Sequence, residues 1–274
     1  MKLHYSASPE CTNVMSTEKL RETYLIQSIF QPGKVIAHYT DLDRMVVVGV
    51  QPAGAPLKLG NYKEIGSSYF LERREIGILN ITNKPGTVTV GGTKYELGHL
   101  DCVYIGLGEQ DVTFSGDTQF YCISTPAHMK YPTAVLRGED IKTPPIGDPV
   151  NANKRVIRRY IHQLEGGIKS CQLVMGCTTL EQGSVWNTMP SHVHSRRTEI
   201  YLYFDVPQDQ MVVHLMGEPN RTRNIMVQDG DVVLSPAWSI HSGCGTAAYR
   251  FVWAMGGDNQ KFEDMDAVAI KDMR

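Results

Sequence analysis

The sequence has no long hydrophobic run, no signal-peptide core and no paired cysteine motif. Its longest apolar stretches, such as 45–50, are far shorter than the roughly 18 residues needed to span a membrane. The N-terminus, MKLHYSASPECTN, lacks the apolar core of a secretory signal, and the six cysteines show no C-x-x-C spacing. We therefore expect reduced thiols rather than a disulfide framework, and a cytoplasmic protein.

An excess of charge of one sign is also missing. The 27 Lys and Arg residues and the 29 Asp and Glu residues leave a formal net charge of −2, so the overall field attracts neither nucleic acid nor anionic membrane lipid. Hydrophobic residues make up 42% and charged residues 20% of the chain, which is typical of a folded globular protein. At about 150 residues per domain, 274 residues fit one large domain or two smaller ones.

Short β-type runs bounded by Gly, Pro or Asp dominate the chain. Examples are RMVVVGV, IGILNI, CVYI, EIYLYFDV and YRFVWAM. One helix is predicted near the start, where Ser16 can cap EKLRETYLIQSIF and Pro32 with Gly33 can end it. The segment TVTVGGTKYEL predicts a hairpin with a two-residue turn at Gly91 and Gly92. This pattern favours β-sandwiches or β-barrels over a parallel α/β sheet.

A proline-rich break divides the chain into two similar halves. Residues 138–153 read GEDIKTPPIGDPVNAN, which continues neither a sheet nor a helix. Before and after this break, RREIGILNI resembles RRTEIYLYF and DCVYIGLG resembles GDVVLSPAW. We therefore predict two domains of related fold, residues 1–145 and 146–274.

The segment SHVHSRRTEIYLYF carries the strongest chemical signal. His192 and His194 are two residues apart, so on a strand both imidazoles point to one side. Glu199 opens the next strand-like run, in which Glu199, Tyr201 and Tyr203 alternate toward one face. Two imidazoles and a carboxylate from adjacent strands make a plausible site for a divalent metal ion.

A second block supplies a further imidazole. Gly230, Pro236 and His241 have a spacing in which a strand ends, turns at proline and presents a histidine. Together the two blocks resemble the paired motifs of the cupin fold, a small double-stranded β-barrel with a metal site of three histidines and one glutamate. The resemblance implies that His241 is the fourth ligand.

The N-terminal half lacks this metal-binding signal. No H-x-H precedes Glu75, and the position that matches His241 falls near Val112. We therefore predict a mainly β protein with two cupin-type barrels (a bicupin) and a short N-terminal helix. The first barrel is expected to lack metal ligands, and the second to bind one ion.

Longer stretches resemble the 5-keto-4-deoxyuronate isomerases, also called 4-deoxy-L-threo-5-hexosulose-uronate ketol-isomerases. They are YFLERREIGILNI, WNTMPSHVHSRRTEIYLYFD, SPAWSIHSGCGTAAYRFVWAMG and DMDAVAIKD, and the resemblance runs from the N-terminal helix to the last residues. It implies a zinc-containing bicupin, usually hexameric, that acts in bacterial degradation of pectin and related polyuronates. The zinc ligands that it implies are His192, His194, Glu199 and His241.

The reaction implied by this resemblance converts 5-dehydro-4-deoxy-D-glucuronate to 3-deoxy-D-glycero-2,5-hexodiulosonate. A proton moves between C2 and C1 through an enediolate, whose charge a metal ion stabilises as a Lewis acid. Because Glu199 is expected on the metal, another group must carry the proton. The candidates are Tyr201, Tyr203, His162 and Asp258.

The implied substrate is a small molecule with a carboxylate, which an arginine can bind through two hydrogen bonds. Arg196 and Arg197 lie between the expected ligands, and Asn187 and Gln172 are polar residues near the ligand strands that can bind sugar hydroxyls. Two other functions stay open from the sequence. One is a cupin dioxygenase with iron at the same four ligands, and the other is a non-catalytic sugar-binding cupin.

Overall fold

The computed structural model describes residues 1–258, 260–261 and 264–274. Its helices are α1 (Pro9–Asn13) and α2 (Thr17–Tyr24), with 3-10 turns at Leu42–Arg44, Lys63–Ile65 and Ile270–Asp272. Nowhere in these residues is a helix long and apolar enough to cross a membrane.

Strands far outnumber helices among the described residues, so the mainly β class predicted from the sequence is confirmed. The strands up to residue 136 are β1 (Lys2–His4), β2 (Leu25–Ile26), β3 (Lys34–Thr40), β4 (Val46–Gln51), β5 (Leu57–Lys58), β6 (Arg74–Asn80), β7 (Gly86–Val90), β8 (Thr93–Leu97), β9 (Cys102–Ile105), β10 (Thr113–Gly116), β11 (Phe120–Pro126) and β12 (Ala134–Leu136). Those that follow are β13 (Arg155–Ile161), β14 (Val174–Leu180), β15 (Trp186–Asn187), β16 (His192–Val193), β17 (Arg197–Phe204), β18 (Val212–Glu218), β19 (Arg221–Val227), β20 (Val232–Ser235), β21 (Ser242–Gly245), β22 (Arg250–Gly257) and β23 (Asp266–Ala267).

The N-terminal helix begins where the sequence predicts and ends earlier. The Ser16 hydroxyl caps α2 by accepting a hydrogen bond from the Lys19 backbone N–H at 3.2 Å. The helix stops at Tyr24, well before the predicted end at Pro32. The next two residues form β2, which pairs with β20. Pairing with a sheet edge overrides the local helical pattern here, because propensity is a weak force beside tertiary contacts.

The hairpin predicted at two glycines is confirmed. Val90 of β7 pairs with Thr93 of β8, and Gly91 and Gly92 have φ values of 54° and 89°. A two-residue turn of this kind requires positive φ at both central positions, which glycine adopts without strain.

The two halves of the chain build sheets with the same strand order. One pair of sheets has the orders β1-β3-β4-β11-β6-β9-β12 and β5-β10-β7-β8. The other pair has the orders β13-β14-β22-β17-β20-β2 and β15-β21-β18-β19. Each strand of the run β4-β11-β6-β9 therefore has a counterpart in the run β14-β22-β17-β20. This repeated topology supports an internal duplication.

Each of the two compact units consists mainly of one half of the chain, but one segment from each half belongs to the other unit. Unit 1 comprises residues 1–3, 28–142 and 159–175, and unit 2 comprises residues 4–27, 143–158 and 176–274. The expected domains, 1–145 and 146–274, differ from these units at 4–27, at 143–145 and at 159–175.

Specific hydrogen bonds explain both exchanged segments. In unit 2, the Arg223 guanidinium donates to the backbone carbonyls of Thr12 and Met15 at 2.8 and 2.7 Å. In unit 1, Glu75 accepts hydrogen bonds from the backbone N–H groups of 171–173 at 2.7 to 2.8 Å. A composition-based boundary cannot foresee such pairings.

Candidate metal centre

Four side chains of unit 2 converge on one point, and they are the four that the cupin motifs imply. The ligand atoms of His192, His194, Glu199 and His241 all lie within 4.8 Å of one another. Glu199 Oε2 is 2.9 Å from Nε2 of His194 and 2.9 Å from Nε2 of His241. The Nε2 atoms of His192 and His241 are 3.0 Å apart. Three of the four residues are buried, and His192 is partly exposed.

Strand ends bring these side chains together. His192 lies on β16, which pairs with β23, and His194 follows directly after β16. Glu199 lies on β17, where its backbone pairs with the last residue of β20. His241 stands immediately before β21, after a turn that begins at Pro236. The centre thus combines three side chains from residues 192–199 with a fourth, His241, from the turn before β21.

Backbone carbonyls fix the orientation of two of the imidazoles. His194 Nδ1 lies 2.9 Å from the Arg197 carbonyl oxygen, and His241 Nδ1 lies 3.3 Å from the Ser239 carbonyl oxygen. A carbonyl only accepts, so Nδ1 carries the hydrogen and the Nε2 lone pair points to the centre. In the neutral imidazoles these lone pairs face a Glu199 oxygen at 2.9 Å. A divalent cation is the species that such a set of electron-pair donors fits.

The pKa values of Glu199, His192 and His194 are shifted in different directions. Burial alone would raise the pKa of Glu199, but the adjacent His241 and His194 hold it well below the usual range. Burial, reinforced by His241, lowers the pKa of His192 to about 3. Burial also acts against the charged form of His194, yet its hydrogen bond with Glu199 raises the pKa above the ordinary value. The centre therefore offers an ionised carboxylate beside a neutral imidazole.

The two candidate tyrosines of β17 lie beside this centre. The Tyr201 ring centroid is 5.6 Å from that of His241, and its hydroxyl is 3.0 Å from Thr188 Oγ1. Burial, with the charge of Glu199 as a second cause, raises the pKa of Tyr201 well above its usual value. Burial likewise raises the pKa of Tyr203. Both phenols are therefore protonated at neutral pH.

His214 is a functional candidate that the sequence reasoning missed. It lies on β18, is fully buried, and places Nδ1 2.7 Å from the Tyr203 hydroxyl. Its Nε2 has no hydrogen-bond partner among the described residues. Burial, followed by the nearby His241, lowers the pKa of His214 to about 3. His214 shares the buried face of β18 with Val212 and Met216, but no pattern in the sequence VVHLM marks it.

The two candidate arginines have different environments. Arg196 is exposed and donates to both carboxylate oxygens of Asp264. Arg197 is 1% exposed, and its Nη2 donates to the Asp264 carbonyl at 3.0 Å. Its Nε and Nη1 have no hydrogen-bond partner within the part of the chain that the structure describes. Asp258 is exposed and donates its backbone N–H to the Arg196 carbonyl at 2.9 Å.

The remaining candidates fall into different units. Asn187 lies in unit 2 on β15, is fully buried, and donates to the Tyr249 hydroxyl at 2.6 Å. His162 and Gln172 belong to unit 1, whereas the four-residue cluster belongs to unit 2. Gln172 donates its side-chain amide to the Pro126 carbonyl at 2.6 Å. In unit 1, Glu75 also accepts hydrogen bonds from two side-chain hydroxyls and is satisfied by protein groups alone.

Strand pairing shows what unit 1 has in place of these polar groups. On β6, Ile76 pairs with the last residue of β9, as Glu199 of β17 pairs with the last residue of β20. The residue before β10 is Val112, and the residue before β21 is His241. By the same register, Ile78 corresponds to Tyr201 and Val88 to His214. Ile76, Ile78, Val88 and Val112 all belong to the apolar core of unit 1.

Comparisons with known proteins agree with this arrangement. The profile of the family described as the KduI/IolB family matches residues 34–272. A protein of Opitutus terrae named 4-deoxy-L-threo-5-hexosulose-uronate ketol-isomerase is 62% identical over 100% of both chains, and one of Lachnoclostridium phytofermentans with the same name is 47% identical over 100% of both.

Among solved structures, an IolB-like protein from Salmonella typhimurium LT2 has a TM-score of 0.64 at 14% identity, covering 93% of this chain and 91% of its own. Oxalate decarboxylase from Bacillus subtilis has a TM-score of 0.50 at 13% identity, covering 79% and 70%. At such low identity these two likenesses bear on the fold alone, and they support the cupin type.

Proposed function

Because this chain belongs to the KduI/IolB family and is a ketol-isomerase, we propose that it converts 5-dehydro-4-deoxy-D-glucuronate to 3-deoxy-D-glycero-2,5-hexodiulosonate. One observation carries the proposal. Three imidazole nitrogens and the Glu199 carboxylate converge within 4.8 Å in a chain that is 62% identical to a protein named for this activity.

We propose that His192, His194, Glu199 and His241 hold one zinc ion per chain. When bound, the ion acts as a Lewis acid toward the carbonyl and hydroxyl oxygens of the substrate. The protein contributes the orientation of the rings, through the carbonyls that accept from Nδ1, and keeps Glu199 ionised. These contributions suit a site where negative charge develops on two adjacent oxygens.

The proton must leave C2, an enediolate must form, and C1 must then receive a proton. Tyr201 is protonated and lies against His241, so it suits the role of a hydrogen-bond or proton donor to a substrate oxygen rather than that of the base. Tyr203 is protonated for the same reason. Of the remaining base candidates, Asp258 belongs to the same unit as the four-residue cluster, whereas His162 belongs to unit 1.

Arg197 is the arginine that we propose for the substrate carboxylate. The exposed Arg196 is already engaged with the Asp264 carboxylate, whereas Arg197 shares the inward face of β17 with Glu199. Its Nε and Nη1 groups lack partners among the described residues, and buried donors without hydrogen-bond partners are costly. We further propose sugar-hydroxyl binding by Asn187, whose Oδ1 also has no partner in the described chain.

The wider setting of the reaction rests on the resemblance. We propose a cytoplasmic enzyme that assembles as a hexamer and acts in the breakdown of pectin or a related polyuronate. The high identity to named ketol-isomerases over the full chain supports this setting. Light scattering on the purified protein tests the assembly, since a monomer would contradict it.

Incubation of metal-replete protein with the deoxy-hexuronate in deuterated water tests the reaction. We expect NMR to show conversion without oxygen and deuterium at the carbon that was the C1 aldehyde of the substrate, because the enediolate takes its new proton from a group that exchanges with solvent. Absence of conversion would overturn the assignment. Turnover that needs iron and consumes oxygen would instead support the dioxygenase alternative.

A further inference from the structure

A polar cavity lies in unit 1, and none of its lining residues belongs to the metal centre. Its volume is about 190 Å³, and three arginines, Arg44, Arg73 and Arg74, line it. Glu64 contributes the one carboxylate among its lining residues, and Ser67 contributes a hydroxyl. The cavity therefore carries an excess of positive charge, although the chain as a whole has a net charge of −2.

Arg74 is the unusual member of this cavity. It is only 5% exposed, and its Nε and Nη2 donate to Ser124 Oγ, the Ser124 carbonyl and the Arg44 carbonyl at 2.7 to 3.0 Å. All three acceptors are neutral. Burial lowers the pKa of Arg74 to about 10, so the guanidinium is still charged at neutral pH. A buried cation without a counterion is expensive, because hydrogen bonds to neutral groups replace only part of its hydration.

The other two arginines are also without an acidic partner. Within the described residues, no ion pair involves Arg44, Arg73, Arg74 or Glu64. The Arg73 Nη2 donates to the Gly66 carbonyl at 2.6 Å, which again is a neutral acceptor. Arg44 and Arg73 are exposed and can stay hydrated at little cost, but they share the cavity with the buried Arg74.

By strand register, Arg74 of this cavity has a counterpart in unit 2, Arg197. Arg74 lies two residues before Ile76 on β6, and Arg197 lies two residues before Glu199 on β17. Both arginines are buried at the start of equivalent strands. In unit 2 the acidic neighbour of this arginine is Glu199, whereas in unit 1 the matching position is the apolar Ile76. The buried guanidinium of unit 1 thus lacks the nearby carboxylate that acts electrostatically on its counterpart Arg197 in unit 2.

We propose that this cavity of unit 1 is a binding site for a small oxyanion, the carboxylate or phosphoryl group of a metabolite. Arg73 and Arg74 would donate charge-assisted hydrogen bonds to the anion, and Arg44 would add attraction from the rim. The volume suits a compact anion rather than a large cofactor. The proposal stands independently of the reaction in unit 2, because it concerns binding and makes no use of the metal centre.

Calorimetric titration of the full chain with D-galacturonate and, separately, with inorganic phosphate tests the site. We expect one of the two anions to bind saturably, and Arg73→Gln to weaken that binding by about tenfold, as loss of a charged hydrogen bond does. Glu64→Gln should tighten binding severalfold, because it removes the carboxylate that opposes an anion. Lys63→Gln removes a positive charge from the same exposed turn without touching the cavity, and it should leave the affinity unchanged.

The outcomes separate the ligand sources and the alternatives. Saturation by galacturonate alone identifies a sugar-acid site, and saturation by phosphate alone identifies a phosphoryl site. Binding that all three variants leave equal, or that Lys63→Gln weakens as much as Arg73→Gln, would overturn the proposal. So would absence of saturable binding of either anion. Because Arg73 is exposed, Arg73→Gln should fold. At the buried Arg74, Arg74→Lys is the milder substitution because it keeps the positive charge.

Discussion

Ile76 occupies on β6 the register position that Glu199 occupies on β17. Each pairs with the last residue of the neighbouring strand, Ile105 and Ser235 respectively. In unit 2 the carboxylate meets two imidazoles at 2.9 Å, whereas in unit 1 the isoleucine packs in the core. The duplicated topology therefore carries two kinds of interior, one polar and one apolar.

This difference predicts the metal content. We expect elemental analysis to find one metal ion per chain, because Ile76 and Val112 offer no ligand where unit 2 has Glu199 and His241. His192→Ala and His241→Ala should lose the ion and lower turnover by more than about a hundredfold, since even residues that only orient ligands are worth about 10- to 100-fold. The exposed His128 of unit 1 provides a matched control, His128→Ala. Two ions per chain, or full turnover with metal retained in His241→Ala, would refute the ligand set.

The two arginines of β17 and its preceding turn predict different kinetic effects. Arg197→Gln should raise KM by about 10- to 100-fold, the range expected for loss of a charged hydrogen bond to the substrate. Arg196→Gln removes an exposed contact with Asp264 and should change KM by less than about threefold. Steady-state kinetics on both variants, with circular dichroism to check folding, would measure this contrast. Equal effects of the two substitutions would count against the role of Arg197.

His214 predicts a pH dependence of stability. Its pKa is about 3 in the folded protein and about 6.5 in the unfolded chain, so unfolding takes up a proton between these values. Stability contributed by neutral His214 is therefore present above about pH 6.5 and is lost as the pH falls toward 3, by roughly 1.4 kcal/mol per unit. Urea unfolding of metal-free protein at about pH 7 and about pH 5 measures this loss.

The variant His214→Gln isolates this contribution from that of other groups. Glutamine can still bond the Tyr203 hydroxyl and does not titrate, while Glu199 and His241, the neighbours that act electrostatically on His214, stay in place. The loss of stability on acidification should therefore be smaller in the variant than in the wild type. An identical loss in both proteins would show that His214 does not titrate as described.

Gly243 predicts a steric effect in the interior of unit 2. A Cβ at this position would lie 2.7 Å from Asn187 Nδ2 and 3.0 Å from the Tyr203 hydroxyl. Gly243→Ala should therefore lower the free energy of unfolding by about 1 to 3 kcal/mol, as overpacking of a core does. Gly60→Ala, whose Cβ would meet Tyr62 only at 3.6 Å, is the control for adding a methyl group. Equal free energies of unfolding for the two variants in chemical unfolding would show that Asn187 and Tyr203 can shift to accommodate the added methyl group.

Local chemistry made several elements predictable. Ser16 carries the hydroxyl that caps α2, and Gly91 with Gly92 supplies the positive φ of a hairpin turn, because these effects act between neighbours in sequence. The end of α2 could not be predicted in this way. Leu25 and Ile26 leave the helical pattern because β20, more than 200 residues away, offers a strand edge to pair with.

The candidate centre shows the same division. The spacing of His192, His194 and Glu199 marks possible ligands, because residue type and alternation along a strand are local properties. His214 and the unpaired groups of Arg197 carried no such mark. Their importance depends on how deeply they are buried and on whether the fold supplies hydrogen-bond partners, and neither property can be inferred from residue type alone.

The sequence by itself determined the β-rich class, the duplicated pattern, the family and the set of possible metal ligands, because these depend on residue identity and short-range order. Only the tertiary structure decided which residues share a register, where segments 4–27 and 159–175 belong, and that the buried Arg74 of unit 1 has no carboxylate partner among the described residues. Register and burial arise when distant strands pair, and that pairing is settled by the packing of the whole chain.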